Sequence, residues 1–402
     1  MHNGYNYSRI RYGTGGNVDM DNVVYILGAG FSAPLGLPVM SNFIEMAQNL
    51  YAIDNNEYKH FKNIFTNIRQ KLAYVNKFYN TDIDNIEEVL SILEMERMVG
   101  KGSIKQAIEY RKFIMDVIQY YTPKLQRDNY RITKLSRGNY ELSDEAMIAD
   151  IDHRHMFAEL VSDKMLNYAG FVLNLFNRSI EPKYYEENLD PRTKVKEFEL
   201  HSVPDESIEF RYSVITLNYD LVLENCAKYL SSILLGFDFN FLRPPSQARR
   251  NLPYLVKLHG SIDTGNIIPP TWNKIIENHV YKEWERAFIL LASANYIRII
   301  GYSLPDNDAY VRYLLKASIL KSENLKNIDV LCKDSTGKIK EKYDKFIQLP
   351  YPKYRFSFSD VKDYLNWVGT VYRSSDREYT IQHRHEDFFT RNSVNESGLT
   401  LD

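Results

Sequence analysis

The chain of 402 residues is 44% apolar and 25% charged, with a formal net charge of −2. These values are typical of a globular protein, exclude wholesale disorder and give no sign of direct nucleic-acid binding. Only two cysteines are present, which excludes a disulfide framework and a four-cysteine zinc site.

Residues 1–20 are polar and glycine-rich, and we expect them to form a flexible N-terminal arm. This arm lacks the apolar centre of a signal peptide, and no run in the chain approaches the roughly 20 apolar residues that span a bilayer. The protein is therefore expected to be cytoplasmic, without a membrane partner.

The first predicted strand, residues 23–27, is continuously apolar, as strands buried on both faces are. It runs into a short glycine loop: Gly28, Ala29, Gly30, Phe31 and Ser32. With Ala33 the loop satisfies the pattern G-x-G-x-x-G/A, in which glycines allow a close approach of backbone to phosphate. No second strand with a terminal acidic residue follows about 20 residues later, which disfavours a conventional dehydrogenase.

Residues 46–204 are predicted to be a mainly helical insertion. Apolar residues recur at spacings of three and four over 61–75, 107–121 and 157–175. Asp84 followed by Glu87 predicts a capping box at the start of a further helix. Packing against one another and against a sheet explains most of these apolar stripes.

Strands and helices alternate from about residue 211. Strands are predicted at 213–217, 254–258, 296–300 and 328–332, and helices at 221–235, 281–294 and 309–320. Such alternation predicts a parallel sheet with right-handed crossovers, hence an α/β, Rossmann-like fold. We assign 21–45 and 205–350 to this domain and 351–402 to a C-terminal extension and tail.

Polar clusters follow the predicted strands, and the carboxyl ends of parallel strands share one crevice. We therefore expect these residues to line one pocket with the glycine loop: Asn218, Asp220, His259, Gly260, Gly301, Ser303 and Leu304. His259 is a candidate general base, although a single histidine can equally be structural. Asn218 and Asp220 can contact a ligand or cap the helix that follows, and Asp306 or Asp308 can cap the next one.

In order and spacing, these clusters resemble the motifs of the sirtuin family. The glycine loop continues in the sirtuin manner as Gly36-Leu37-Pro38, and residues 216–220 resemble the motif Thr-x-Asn-x-Asp. Residues 258–261 resemble the catalytic histidine motif, and residues 301–304 the later Gly-x-Ser loop. The resemblance covers about 21–45 and 210–335 and implies a sirtuin-type NAD-binding domain.

Two departures from the protein deacylases of that family stand out. Val39-Met40-Ser41 replaces the usual Asp-Phe-Arg, and the zinc-binding cysteines are missing, so we expect no zinc and no other metal. In both respects the chain resembles the bacterial sirtuin-like (SIR2-like) effectors of anti-phage defence, which act by NAD depletion in abortive infection. The resemblance implies hydrolysis of NAD+ to ADP-ribose and nicotinamide, with NAD as the substrate.

The resemblance also implies roles and partners. His259 would accept a proton, Asn218 would orient the water or the ribose, and Asp220 would contact the nicotinamide amide or stay structural. The phosphates and riboses would be held by Gly28, Ala29, Gly30, Phe31, Ser32, Gly260, Gly301, Ser303 and Leu304. A homo-oligomer is implied, alone or with a HerA-like translocase ATPase, which would be a separate chain because no G-x-x-x-x-G-K-[ST] motif is present.

Two alternative functions remain open at this point. A protein deacylase or ADP-ribosyltransferase would need an acyl-lysine channel, which the missing zinc module usually supports. A non-catalytic sensor of NAD or ADP-ribose would bind its ligand without turnover. Dependence on an acylated peptide distinguishes the first alternative, and turnover that is lost in His259→Ala excludes the second.

Overall fold

A computed structural model describes residues 20–68, 70, 73–74, 78, 84–100, 104–124, 163–185, 197–205, 208–243, 252–268, 278–322, 324–369 and 380–394. Most of the predicted N-terminal arm and the end of the C-terminal tail lie outside these residues, as does the first part of the predicted helix 157–175. Among the described helices, none combines the length and apolar character needed to cross a membrane.

The described strands form one seven-stranded sheet and two short hairpins. In chain order they are β1 (Asp21–Leu27), β2 (Arg178–Tyr185), β3 (Glu197–Pro204), β4 (Phe210–Thr216), β5 (Leu255–Lys257), β6 (Gly260–Ser261), β7 (Asn266–Ile267), β8 (Tyr296–Ile300), β9 (Asn327–Leu331), β10 (Tyr354–Ser357) and β11 (Ser393–Val394). The main sheet has the order β11-β10-β9-β8-β1-β4-β5, whereas β2 pairs with β3 and β6 with β7.

The main sheet has the strand order of a doubly wound dinucleotide-binding fold. Every neighbouring pair is parallel except β10 and β11. Numbered along the chain, the six parallel strands lie in the order 3-2-1-4-5-6, so the chain reverses direction across the sheet at β1. The predicted α/β, Rossmann-like fold class is confirmed.

The helices cover both faces of the sheet and form a further cluster beside it. They are α1 (Ala29–Ser32), α2 (Phe43–Ile53), α3 (Phe61–Asn63), α4 (Ile86–Met98), α5 (Ile104–Tyr121), α6 (Asp163–Leu175), α7 (Val222–Ile233), α8 (Asn278–Ala292), α9 (Ala309–Ile319), α10 (Lys338–Phe346), α11 (Val361–Val368) and α12 (Ile381–Asn392). Buried side chains of α6, α7, α11 and α12 pack on one face, and those of α8, α9 and α10 on the other. Helices α2 to α5 contribute most of a third apolar cluster, separate from those on the two faces of the sheet.

The carboxyl ends of four strands are level with one another. Leu27 at the end of β1 lies opposite Thr216 of β4 and Ile300 of β8, and Thr216 lies opposite Lys257 of β5. The segments that follow these strands therefore leave the sheet at one edge, as expected from the sequence. They are the glycine loop, residues 218–220, residues 259–261 and residues 301–303.

The structure differs from the sequence-based expectation in three places. Helix α4 is capped one residue later than predicted, by Asn85, whose Oδ1 accepts from the N–H groups of Glu87 and Glu88 at 3.1 Å each. Within the segment 46–204, α6 packs on the sheet, and β2 and β3 form a hairpin. Beyond residue 350, β10 and β11 extend the sheet. The limits assigned to the domains from the sequence stay a prediction.

A buried polar network joins the C-terminal helices to the sheet. Arg298 donates to Tyr25 Oη at 2.6 Å and to the side chain of Gln382. Asp329 accepts from two nitrogens of Arg355 at 2.6 and 2.8 Å, and it lies 2.8 Å from His385 Nε2. Because these partners are deeply buried, the network holds α12 against β8, β9 and β10.

This network predicts acid sensitivity of the fold. Burial, together with the charges of Arg298 and Arg355, lowers the pKa of His385 to about 3. An unfolded histidine has a pKa of about 6.5, so between these values the unfolded chain binds a proton that the folded chain does not. The free energy of unfolding should therefore fall on acidification, with this residue contributing about 1.4 kcal/mol per pH unit.

Urea unfolding between about pH 6 and about pH 4 measures this slope. His385→Gln should reduce it by about 1.4 kcal/mol per pH unit, whereas His383→Gln, at an exposed position of the same helix, should leave it unchanged. If the free energy of unfolding depends on pH equally in His385→Gln and in the unaltered protein, His385 has the same pKa in the folded and unfolded states, and the prediction is wrong.

Candidate active site

The glycine loop and the turn after β8 contact each other backbone to backbone. Gly28 N donates to Ile300 O at 3.1 Å, and Gly30 N donates to Gly301 O at 2.9 Å. A Cβ on Gly28 would lie 2.6 Å from Gly301 O, and one on Gly301 would lie 2.4 Å from Phe31 N. Gly301 also has a positive φ of 67°. Glycine is therefore required at Gly28 because a side chain would clash with the facing backbone. At Gly301 it is required both for that reason and because of the positive φ.

Asn218, after β4, is tied to the glycine loop. Its Nδ2 donates to Gly28 O at 3.0 Å and to Ser32 Oγ at 3.2 Å, and the residue is buried. Its backbone N–H donates to Thr216 Oγ1 at 3.1 Å. These contacts fix the carboxamide between the ends of β1 and β4, next to the point between β1 and β8 where the strand order reverses and such sheets bind their ligand.

Asp220 lies just before the following helix, α7, and binds its first N–H group. Its Oδ1 accepts from Val222 N at 3.0 Å, and its carboxylate also accepts from the Ser32 hydroxyl. Burial raises the pKa of this carboxyl, while the charge of Lys257 and the Val222 hydrogen bond oppose the rise. Asn218 thus holds the glycine loop and Asp220 the start of α7, while the contact of either residue with a ligand stays a prediction.

His259 lies buried between two carboxylates. Its Nε2 is 3.3 Å from Asp308 Oδ2, and its Nδ1 is 3.8 Å from Glu87 Oε1. Among the described residues, neither ring nitrogen makes a hydrogen bond of normal geometry. In the neutral ring, the nitrogen that carries no proton is therefore available to accept one or to bind a ligand.

Two tyrosines hold these carboxylates in place. Burial raises the pKa of Tyr302 and of Tyr219, so both keep their hydroxyl protons. Tyr302 Oη donates to Asp308 Oδ2 at 2.9 Å, and Tyr219 Oη donates to Glu87 Oε1 at 3.3 Å. Each tyrosine thus donates to the carboxylate oxygen that lies nearest the His259 ring.

A cavity of about 1030 Å³ lies at this edge of the sheet. It is large enough for a ligand at or above the upper end of the usual range for small molecules. Nine of the twelve predicted site residues line it: Gly28, Ala29, Gly30, Ser32, Asn218, Asp220, His259, Gly301 and Ser303.

Three predicted site residues lie outside the cavity lining. Phe31 packs in the core, with its ring centroid 5.3 Å from that of Tyr168. Leu304 is fully buried in the opposite core cluster. Gly260 faces the hairpin strand β7, where an added Cβ would lie 2.0 Å from Asn266 O. Their predicted contacts with a ligand stay untested.

Other lining residues were not assigned to the site from the sequence. Glu87, Tyr302 and Asp308 surround His259, and the cavity continues beyond them along Asn167, Tyr168, Cys332, Lys333, Asp360, Lys362 and Asn366. The sequence offers Asp308 as a helix cap, but its side chain makes no capping hydrogen bond to α9. The sequence gives little indication that Glu87 and Asp308 belong to the site, since only the packing of α4 and α9 brings these two residues to His259.

One cluster of metal-ligating residues occurs among the described residues: Asp329, His385 and Glu386. The guanidinium of Arg355 forms ion pairs with both Asp329 and Glu386 there. A fixed positive charge on these carboxylates disfavours a second cation, so the cluster belongs to the buried network rather than to a metal centre.

Residues 212–349 match the family model described as a SIR2-like domain. Among solved structures, the chain is similar to a Sir2 in complex with the inhibitor EX-527, 2'-O-acetyl-ADP-ribose and a deacetylated p53 peptide, with 12% identity and a TM-score of 0.31 over 87% of this chain and 93% of that chain. It is also similar to Sir2Tm bound to a propionylated peptide, with 13% identity and a TM-score of 0.31 over 87% and 92%. A comparison with curated proteins finds no match.

The contact between the glycine loop and the Gly301 turn generates a prediction for Gly28→Ala. Gly28 has an ordinary extended φ of −101°, so alanine costs nothing in conformation but clashes with Gly301 and Tyr302. We expect a destabilisation of about 1–3 kcal/mol from overpacking and a displaced cavity wall, measured by urea unfolding and by NAD binding in calorimetry.

The matched control is Gly100→Ala. Gly100 has a positive φ of 68° with nothing within 4 Å of an added Cβ, so it should lose about 1 kcal/mol without any change in binding. Unchanged NAD affinity in Gly28→Ala would contradict a role of this contact in shaping the cavity.

Proposed function

We propose that the chain is an NAD+ hydrolase that cleaves NAD+ to ADP-ribose and nicotinamide. The observation that carries this proposal is the meeting of His259 and Asn218 with the glycine loop in one cavity, at the strand ends where this sheet order binds dinucleotides. The SIR2-like domain match over residues 212–349 supports the same substrate.

In the proposed reaction, a water oxygen replaces nicotinamide on the ribose carbon. The bond between that carbon and the nicotinamide nitrogen breaks through an oxocarbenium-like state, as in glycoside hydrolysis. Nicotinamide leaves as a neutral molecule with the bonding electron pair, and His259 accepts the proton that the water loses. The balance is NAD+ and water to ADP-ribose, nicotinamide and one proton.

Asn218 is assigned the orientation of the reacting groups. Its Nδ2 is used by Gly28 O and Ser32 Oγ, so contact with a ribose hydroxyl or the water falls to its Oδ1. The glycine backbones allow close approach of the diphosphate. Asp220 supports Ser32 and the start of α7, and its contact with the nicotinamide amide stays a prediction.

The proposed setting is a gated effector of anti-phage defence in the bacterial cytoplasm. Its support is the motif resemblance to the NAD-depleting effectors, together with the toxicity that unregulated NAD loss would cause. A homo-oligomer, alone or with a HerA-like translocase ATPase, is part of the same proposal.

The test measures NAD+ loss and products by chromatography for the purified protein. Removing a general base lowers turnover by about 10²- to 10⁴-fold, which is the loss expected for His259→Ala, and Asn218→Ala should also be severely impaired. His383→Ala, at an exposed position, is the matched control and should keep full activity. Nicotinamide release that requires an acylated peptide, or NAD binding without turnover in infected-cell extract, would contradict the proposal.

A further inference from the structure

The carboxylate of Glu87 reaches the candidate catalytic histidine from outside the Rossmann-like sheet. Glu87 lies in the first turn of α4, within the helical segment between the first strand and the rest of the domain. Its Oε1 is 3.8 Å from His259 Nδ1, its side chain is largely buried, and it lines the same cavity. We infer that Glu87 is a positioning residue that supports proton transfer to His259.

The two edges of the imidazole are not equivalent. Asp308, on the Nε2 side, comes from the same domain as His259, and its side chain is almost fully buried. Glu87, on the Nδ1 side, is oriented by the hydroxyl of Tyr219, the residue between Asn218 and Asp220. When His259 accepts a proton, the positive ring lies between two carboxylates, which stabilise it in a poorly hydrated site.

The distance of 3.8 Å is longer than a hydrogen bond, so Glu87 acts here through its charge. Contacts between catalytic groups are often long before the substrate binds and shorten in the complex. The first turn of α4 is held firmly, since Asn85 caps it and Ile86 packs in one apolar cluster with Tyr219 and Ile262. The carboxylate is therefore presented at a fixed place.

The position of α4 also links the helical segment to the reaction. Glu94 of α4 is largely buried and forms an ion pair of 2.7 Å with Arg111 of α5. Helices α4 and α5 pack together in the cluster that includes Tyr219, Ile262 and Ile267. Displacement of these helices would remove Glu87 from His259 without altering the sheet, so the helical segment completes the site.

The kinetic test rests on the proposed function and compares Glu87→Gln with Glu88→Gln. Both residues have backbone N–H groups capped by Asn85, but Glu88 is not part of the cavity lining, so the pair separates the carboxylate at His259 from helix capping. Glu87→Gln should lower kcat by about 10- to 100-fold, the size of effect seen when the carboxylate partner of a metal-binding histidine is removed, with KM nearly unchanged. Glu87→Asp, which keeps the charge, should retain more activity, and Glu88→Gln should match the unaltered protein.

A second readout does not need turnover. In protein labelled with nitrogen-15 at histidine, the imidazole signals of His259 are those that disappear in His259→Ala. Glu87→Gln should shift these signals, and Glu88→Gln should not. If the unaltered protein consumes no NAD, the proposed function fails but the signals still decide the role of Glu87. Unchanged His259 signals in Glu87→Gln, or equal loss of kcat in both glutamine variants, would overturn the inference.

Discussion

The close approach of two backbones, the glycine loop after β1 and the turn after β8, is the constraint on which the site depends. No Cβ fits at Gly28, Gly30 or Gly301, so the two segments lie against each other and set the floor of the cavity. The parallel register of β1 and β8 brings them to the same level. Asn218 then joins β4 to this unit through Gly28 O, which links the three strand ends into one platform.

The chemistry of the site follows from burying charges on this platform. A buried carboxylate is costly unless it is hydrogen-bonded or paired. Tyr302 donates to Asp308 and Tyr219 donates to Glu87, so each carboxylate beside His259 accepts at least one hydrogen bond. A proton that His259 accepts in the proposed reaction would place a positive ring between these two carboxylates.

The sequence predicts the strands and their polar ends well because these signals are local: apolar runs stopped by glycine or polar residues. It predicts less about which loop side chains face the cavity, since neighbours such as Phe31 and Ser32 point to opposite sides and packing decides between them. The contacts of Glu87 and Asp308 with His259 join positions far apart in the chain, and no local pattern encodes them. Likewise, the pairing of β10 with β9 depends on the buried Asp329–Arg355 contact rather than on strand propensity alone.

The central claim is that this platform directs water to the ribose carbon of NAD+. Turnover in water enriched in oxygen-18, followed by mass spectrometry of the products, tests it most directly. The account predicts free nicotinamide and ADP-ribose that carries one heavy oxygen from the solvent, formed without any peptide. ADP-ribose that carries an acyl group, formed only when an acylated peptide is supplied, would contradict it.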